Sequence, residues 1–337
     1  MSTPVAARSM KYWQGVNEAL HEEMERDENV VIVGEDIGRA GGPYGLTRGL
    51  LEKFGDPRVR DTPISEVTIV GLGIGSAAVG LRPIVELMFF DFAMLAADQI
   101  VNQAAKFRYF TAGKPLPLVI RTMCGAGGPN GAQHSQNLED WFCQVPGLKV
   151  VMPSGAVDAK GLLKSAIRDD DPVLFIETLG LLAGREEVPV GDDELLIPLG
   201  VADIKREGTD VTVVAIGRMV PRALEAAARV AEEGISVEVV DPRTLQPLDY
   251  DTLLGSVRKT GRLVIAHEAP TPFAFGAEIA AVAAERAFSS LKAPVQRVGA
   301  AFITIPTPLP LAEARVPGVD EIAAAVRRTL AQEVQRR

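Results

Sequence analysis

Short unbroken runs of aliphatic residues alternate along the chain with longer stretches whose apolar positions recur every three or four residues. The runs VVIVG (30–34), RPIVELM (82–88), LPLVIR (116–121), LKVVM (148–152) and PVLFIE (172–177) predict strands buried on both faces. Helical spacing predicts helices over 9–26, 67–80, 93–109 and 156–168. Residues 180–200 interrupt the rhythm with glycine, proline and acids (GREEVPVGDDELLIP), which marks a linker. Alternation then resumes. Strands are expected in DVTVVAIG (210–217), SVEVVD (236–241), RLVIAHEA (262–269) and PVQRVGA (294–300). A helix over PRALEAAARVAEEG is expected to end at Gly234, and another closes the chain over 320–334. The expected fold class is α/β, with two domains built on largely parallel sheets, over residues 1–190 and 191–337.

Composition narrows the partners. With 47% hydrophobic and 23% charged residues the chain has enough apolar surface to fold rather than stay disordered. A net charge of −9 argues against a nucleic-acid partner. No apolar run approaches the roughly 20 residues that span a bilayer, so no membrane partner is expected. The opening MSTPVAARSMKYW has no apolar signal core, which points to a cytoplasmic location. Cys124 and Cys143, the only cysteines, have neither metal-ligand spacing nor a disulfide framework.

Candidate chemistry gathers in two places. In DTPISEVTIVGLGIG (61–75) the run Gly73-Ile74-Gly75-Ser76-Ala77-Ala78 fits the loose form of a dinucleotide fingerprint. That fingerprint needs a strand, a tight turn and a helix. A helix starting near Glu66 and capped by Ser65 explains the stretch better, with Gly71 and Gly75 striping one face thinly enough for a close helix contact. Glu66 then sits in a first helical turn, where an acid also interacts favourably with the helix dipole. The second place is the loop GAGGPNGAQHSQ (125–136), which leaves a predicted strand at its carboxyl end and carries His134 among polar neighbours. His267 ends a strand and suits a structural role, and His21 lies in a charged, solvated helix. There is no P-loop, CxxC, HExxH or GxSxG. The residues by themselves describe a two-domain α/β protein without a complete catalytic set.

Ordered blocks across residues 9–330 are more specific. DTPISE (61–66), GLRPIVELMFFDF (80–92), DQIVNQAAKFRY (98–109), AQHSQ (132–136), PGLKVV (146–151), DAKGLLKSAIRDDDP (158–172) and VDPRTLQPLD (240–249) together resemble the β subunit of thiamine-diphosphate-dependent 2-oxo acid dehydrogenases. The match is to the decarboxylating first component, of pyruvate, branched-chain or acetoin type. The resemblance implies a transketolase-like pyrimidine-binding domain followed by a transketolase C-terminal domain. It implies thiamine diphosphate shared with an α subunit in an α2β2 heterotetramer, and acyl transfer to a lipoyl-bearing dihydrolipoamide acyltransferase. In that family a GDG motif holds the diphosphate and Mg2+; this chain has none, so both are expected on the α subunit. Carried over, Glu66 contacts N1′ of the aminopyrimidine, sharing a proton that activates the cofactor. Phe92 packs on the pyrimidine, Met88 lines the same pocket, and His134 exchanges protons during acyl transfer. A structural K+ is implied at Leu118, Ala166, Asp169 and Asp171. Thr68 and GLLAG (180–184) depart from the family pattern, while IRTMCGAG (120–127) leans to the acetoin type and HEAP (267–270) to the branched-chain type. An acetoin-cleaving β subunit is therefore an alternative reading. An NAD-dependent oxidoreductase and a non-catalytic assembly subunit are two others.

Overall fold

The structure, a computed structural model, describes residues 7–189 and 195–332. They fall into two units: residues 1–124 with 141–199, and residues 125–140 with 200–337. The boundary expected at 190/191 lies outside the described residues.

In the first unit, six strands among the described residues form a wholly parallel sheet. Their order is Lys149–Val151, Val173–Thr178, Val119–Cys124, Arg82–Leu87, Val30–Gly34 and Val59–Asp61. All six residues of both Val119–Cys124 and Val173–Thr178 are buried, as continuous apolar runs covered on both faces should be. Helix Tyr12–Arg26 turns Tyr12, Val16, Ala19, Leu20 and Met24 inward, and helix Ala156–Arg168 adds Ala159, Leu162 and Leu163 to the same core. Ion pairs tie the polar edges of these helices. Glu22 holds Lys160 at 2.6 Å and Lys164 at 2.8 Å, and Glu23 holds Arg168 at 2.8 Å.

The second unit carries a five-stranded sheet in the order Gln296–Ala300, Leu263–Pro270, Val211–Ala215, Val237–Asp241 and Asp203–Arg206. The first four strands are parallel and the last is antiparallel. Helices Met219–Ala231 and Val319–Ala331 bury Ala223, Ala226, Val230, Ile322 and Val326 with the strand residues Val213, Val239 and Val264.

Three expectations need correction. Residues 9–11 are not helical: Ala7–Lys11 is a strand pairing antiparallel with Arg185–Pro189, inside the expected linker. Edge pairing of this kind uses backbone groups, so the acidic Glu186 and Glu187 gave no apolar signal for it. The helix expected over 93–109 breaks into a 3-10 turn (Phe90–Met94), a π-helical stretch (Gln99–Ala104) and a short helix (Phe107–Phe110). Its wide turn closes where the Ala105 carbonyl presses on Gly147, at which a Cβ would lie 2.0 Å away. Lastly, Ser65 occupies the N-cap of helix Glu66–Ala78, but its hydroxyl donates to the Thr68 hydroxyl (2.8 Å) and caps no backbone N–H. Thr68 supplies the competing acceptor, and it faces solvent.

Candidate active site

In a parallel sheet every carboxyl end lies on one side, and three adjacent strands of the first unit deliver the candidate residues there. Val59–Asp61 leads through Thr62-Pro63-Ile64-Ser65 to Glu66; Arg82–Leu87 leads directly to Met88 and on to Phe92; Val30–Gly34 between them leads to Glu35. Topology therefore brings Glu66, Met88 and Phe92 to one edge although up to 26 positions separate them in sequence.

Glu66 is the first residue of its helix and is 8% exposed. No hydrogen-bond donor or cation among the described residues engages its carboxylate. The neighbouring acid is Glu35, half-buried, whose carboxyl is raised above its ordinary value by burial and then by the charges of Asp36 and Glu66. A second acid at this edge was invisible from sequence, since Glu35 directly follows an ordinary strand run. Phe92 and Met88 are half-buried, with the Phe92 ring edge-on to Phe89 at 6.4 Å. Phe90 instead points into the core and stacks, tilted, on Phe142 at 5.5 Å.

The glycines following Glu66 lie inside the helix, so no strand–turn–helix phosphate cradle exists at Gly73. A Cβ on Gly73 would meet Val85 at 2.6 Å and Leu118 at 2.9 Å. This glycine is what lets the helix lie against its own sheet. Gly71 is met only by Gln99 at 3.6 Å, and Gly75 faces open space. Beside them Ile64, Val67, Leu72 and Val79 are exposed, leaving an apolar helix face without cover from the described chain.

His134 lies in the second unit, on the loop that follows Val119–Cys124 as expected, and is half-buried. Its backbone N–H donates to Gly131 O at 3.4 Å. The same loop ends in two acids that sequence reasoning passed over. Burial and the charges of Asp140 and Glu268 raise Glu139 to about 8, and burial raises Asp140 to about 6. Glu268 accepts from the Ala126 N–H (2.7 Å) and from Arg218 (3.2 Å). His267, fully buried, is held below its ordinary value, at about 4, by burial, and its Nδ1 contacts Ala269 O at 2.9 Å. It is a buried, neutral histidine whose Nε2 has no hydrogen-bond partner among the described residues.

One further ionic cluster went unread. Arg121, 1% exposed, bonds Glu86 at 2.7 Å and Glu177 at 2.9 and 2.7 Å across adjacent strands. Burial raises Glu177 to about 6 despite that partner. The alternation of charges at 86, 121 and 177 emerges only when the three strands are side by side.

The residues assigned to K+ do lie near one another, but their oxygens are engaged. Leu118 O accepts from Val173 N–H (2.9 Å), Ala166 O from Asp169 N–H (3.3 Å) and Asp169 O from Arg82 (3.0 Å). Lys149 bonds both Asp169 carboxylate oxygens at 2.7 and 2.6 Å, and Arg108 bonds Asp171 at 2.5 Å.

Two family models match the chain: the transketolase pyrimidine-binding domain over residues 8–184 and the transketolase C-terminal domain over 200–322. The β subunit of the acetoin:2,6-dichlorophenolindophenol oxidoreductase of Cupriavidus necator is 49% identical, covering 96% of this chain and 98% of that one. The Arabidopsis thaliana mitochondrial pyruvate dehydrogenase E1 component subunit beta-1 is 46% identical over 97% of this chain and 91% of its own. Among solved structures, a split-gene transketolase described as an inactive beta4 tetramer superposes with a TM-score of 0.78 at 26% identity, covering 95% and 98% of the two chains.

Proposed function

Because the chain belongs to the transketolase-like β subunits of 2-oxo acid dehydrogenase first components, we propose that it forms half of a thiamine-diphosphate-dependent active site completed by an α subunit. The observation that carries this reading is Glu66: a buried carboxylate at the carboxyl edge of a parallel sheet, with no donor from its own chain. A carboxylate with no donor from its own chain is left open to accept one from another molecule. A protonated ring nitrogen of the aminopyrimidine fits that need.

Bound thiamine diphosphate would supply a carbon nucleophile and an electron sink for cleavage beside an oxo group. Glu66 would then hold or give the proton at N1′, with Glu35 beside it raised above its ordinary value by burial and then by the charges of Asp36 and Glu66. Phe92 and Met88 provide the apolar wall for the pyrimidine. His134 stands on a polar loop and would move a proton at the acyl oxygen or lipoyl sulfur. The diphosphate and Mg2+ fall to the α subunit, since no GDG motif occurs here. The uncovered apolar residues Ile64, Val67, Leu72 and Val79 support a protein partner at the Glu66 helix. Assembly as α2β2 and acyl transfer to a lipoyl-bearing acyltransferase complete the reading. No helix among the described residues is long and apolar enough to cross a membrane, and a cytoplasmic location fits. The K+ site is supported least, because Lys149 and Arg108 already bring positive charge to Asp169 and Asp171.

The test is co-expression with the α-type partner and assay of thiamine-dependent turnover on pyruvate, branched-chain 2-oxo acids and acetoin. The single chain should be inactive, Glu66→Gln in the pair should lose nearly all activity, and His134→Ala should lose acyl transfer to lipoyl acceptors. Full activity of Glu66→Gln sinks the assignment.

A further inference from the structure

A cleft of about 400 Å³ opens in the second unit beside the His134 loop, lined by Gln136 and Asn137 of that loop, Pro270, Phe302, Thr304 and Arg315 among others. Arg315 is its unusual member. The residue is 8% exposed, its Nε is buried with no hydrogen-bond partner, and none of the ion pairs among the described residues includes it. A buried donor of this kind is expensive, because the Nε–H leaves water without an acceptor.

The surrounding charges explain why it stays unpaired. Glu313 is held by Arg218 at 2.6 Å and by Arg222 at 3.1 Å. Glu268 is held by Arg218 and the Ala126 N–H. Arg315 feels Glu268 only at a distance beyond an ion pair, and burial holds its guanidinium below the ordinary value. Three arginines thus share two acids, and one positive charge is left facing the cleft. Phe302, Ile303, Ile305 and Pro270 add an apolar part of the wall to the polar Gln136, Asn137 and Thr304. A planar fork of donors beside an apolar wall matches an organic carboxylate of a few carbons better than a fully polar inorganic anion.

We propose that Arg315 anchors a binding site for a short-chain organic carboxylate in this cleft. The carboxylate held here is not the one that leaves in decarboxylation, since a guanidinium on that group would stabilise the ground state and slow its loss. Its source is either the distal carboxylate of a dicarboxylic 2-oxo acid substrate or a separate short-chain carboxylate. The first source rests on the proposed decarboxylating reaction; the binding itself does not.

Calorimetric titration of the purified full-length chain, without thiamine diphosphate, separates the two. Wild type should bind 2-oxoglutarate and butyrate, and Arg315→Met should weaken both at least tenfold, with Arg315→Lys intermediate. Neutral acetoin should give no Arg315-dependent signal. Because the methionine removes an unpaired buried charge, its melting temperature should equal or exceed that of wild type. In the assembled α/β enzyme, an Arg315→Met loss confined to 2-oxoglutarate turnover, with pyruvate turnover unchanged, identifies the substrate source. Unchanged turnover on both, alongside lost binding to the single chain, identifies the separate ligand. The proposal is overturned if wild type binds no carboxylate, if Arg315→Met binds as wild type does, if inorganic phosphate alone binds, or if Arg315→Met unfolds. Carboxylate binding with no thiamine-dependent turnover would leave this site standing while removing the decarboxylase reading.

Discussion

Glu139 is placed to make the stability of this chain fall as pH rises. It is 2% exposed, its Oε2 lacks a hydrogen-bond partner, and burial followed by the charges of Asp140 and Glu268 raises its carboxyl to about 8. In the unfolded chain the same group titrates near its ordinary 4.5. Between these values folding takes up a proton. Stability from this group is therefore fully present below the unfolded value and is lost as pH rises toward the folded one. An ideal site loses about 1.4 kcal/mol per pH unit over that window. From about pH 5 to about pH 7.5 the loss is roughly 3 kcal/mol, and sharing of protons with Asp140 trims it to about 2–3. Glu139→Gln keeps the shape and removes the titration. The variant should match wild type within about 1 kcal/mol near pH 5 and exceed it by about 2–3 kcal/mol near pH 7.5. That corresponds to a melting-temperature gain of roughly 3–4 °C at the higher pH. Scanning calorimetry of both chains across this range is the assay. A gap that does not change with pH, or a glutamine variant less stable at the higher pH, refutes the reasoning.

Arg121→Met should destabilise the chain by about 3–5 kcal/mol in urea unfolding, because Glu86 and Glu177 lose their shared cation in the core. The loss should shrink as pH falls through about 6, where Glu177 takes up a proton. Gly73→Ala should cost about 1–3 kcal/mol by forcing the Glu66 helix off Val85 and Leu118, whereas Gly75→Ala, facing open space, should gain about 0.5–1 kcal/mol. Equal losses at the two positions would show that the helix does not lie on its sheet as described. The melting temperature should be the same in potassium and choline salts, given the Lys149 and Arg108 pairs; a saturable rise with potassium would restore the ion to that site.

Much of the fold could be read from pattern alone, because strands buried on both faces and amphipathic helices carry distinct periods. Helix Ala156–Arg168 was delimited to the residue, since its apolar stripe is clean and a strand follows closely. The Ala7–Lys11 and Arg185–Pro189 pair was not legible, because a ladder between polar edges depends on backbone groups that every residue owns. The broken helix over 90–110 was hidden for a similar reason: the carbonyl contact at Gly147 lies 42 positions from Ala105. At the site, Glu66 itself was legible as a helix-start acid, but its isolation was not. Whether a carboxylate has a donor depends on which strands are neighbours, and so did the presence of Glu35. Arg315 gave no signal at all in sequence, since a single arginine near a helix end is ordinary until its neighbours' commitments are known.

The allocation of Gly125–Asp140 to the second unit has a consequence for how the protein can be made. The chain crosses between units at 124/125, 140/141 and 199/200. During synthesis the His134 segment therefore leaves the ribosome well before the sheet that its unit is built on, and must wait while the first unit's remaining strands emerge. A cut after Leu199, which a linear map would suggest as the natural place to separate two modules, yields a C-terminal fragment without the Ala126 amide that Glu268 requires. That C-terminal fragment should therefore not fold by itself, and should regain structure only when a piece carrying residues 125–140 is supplied with it.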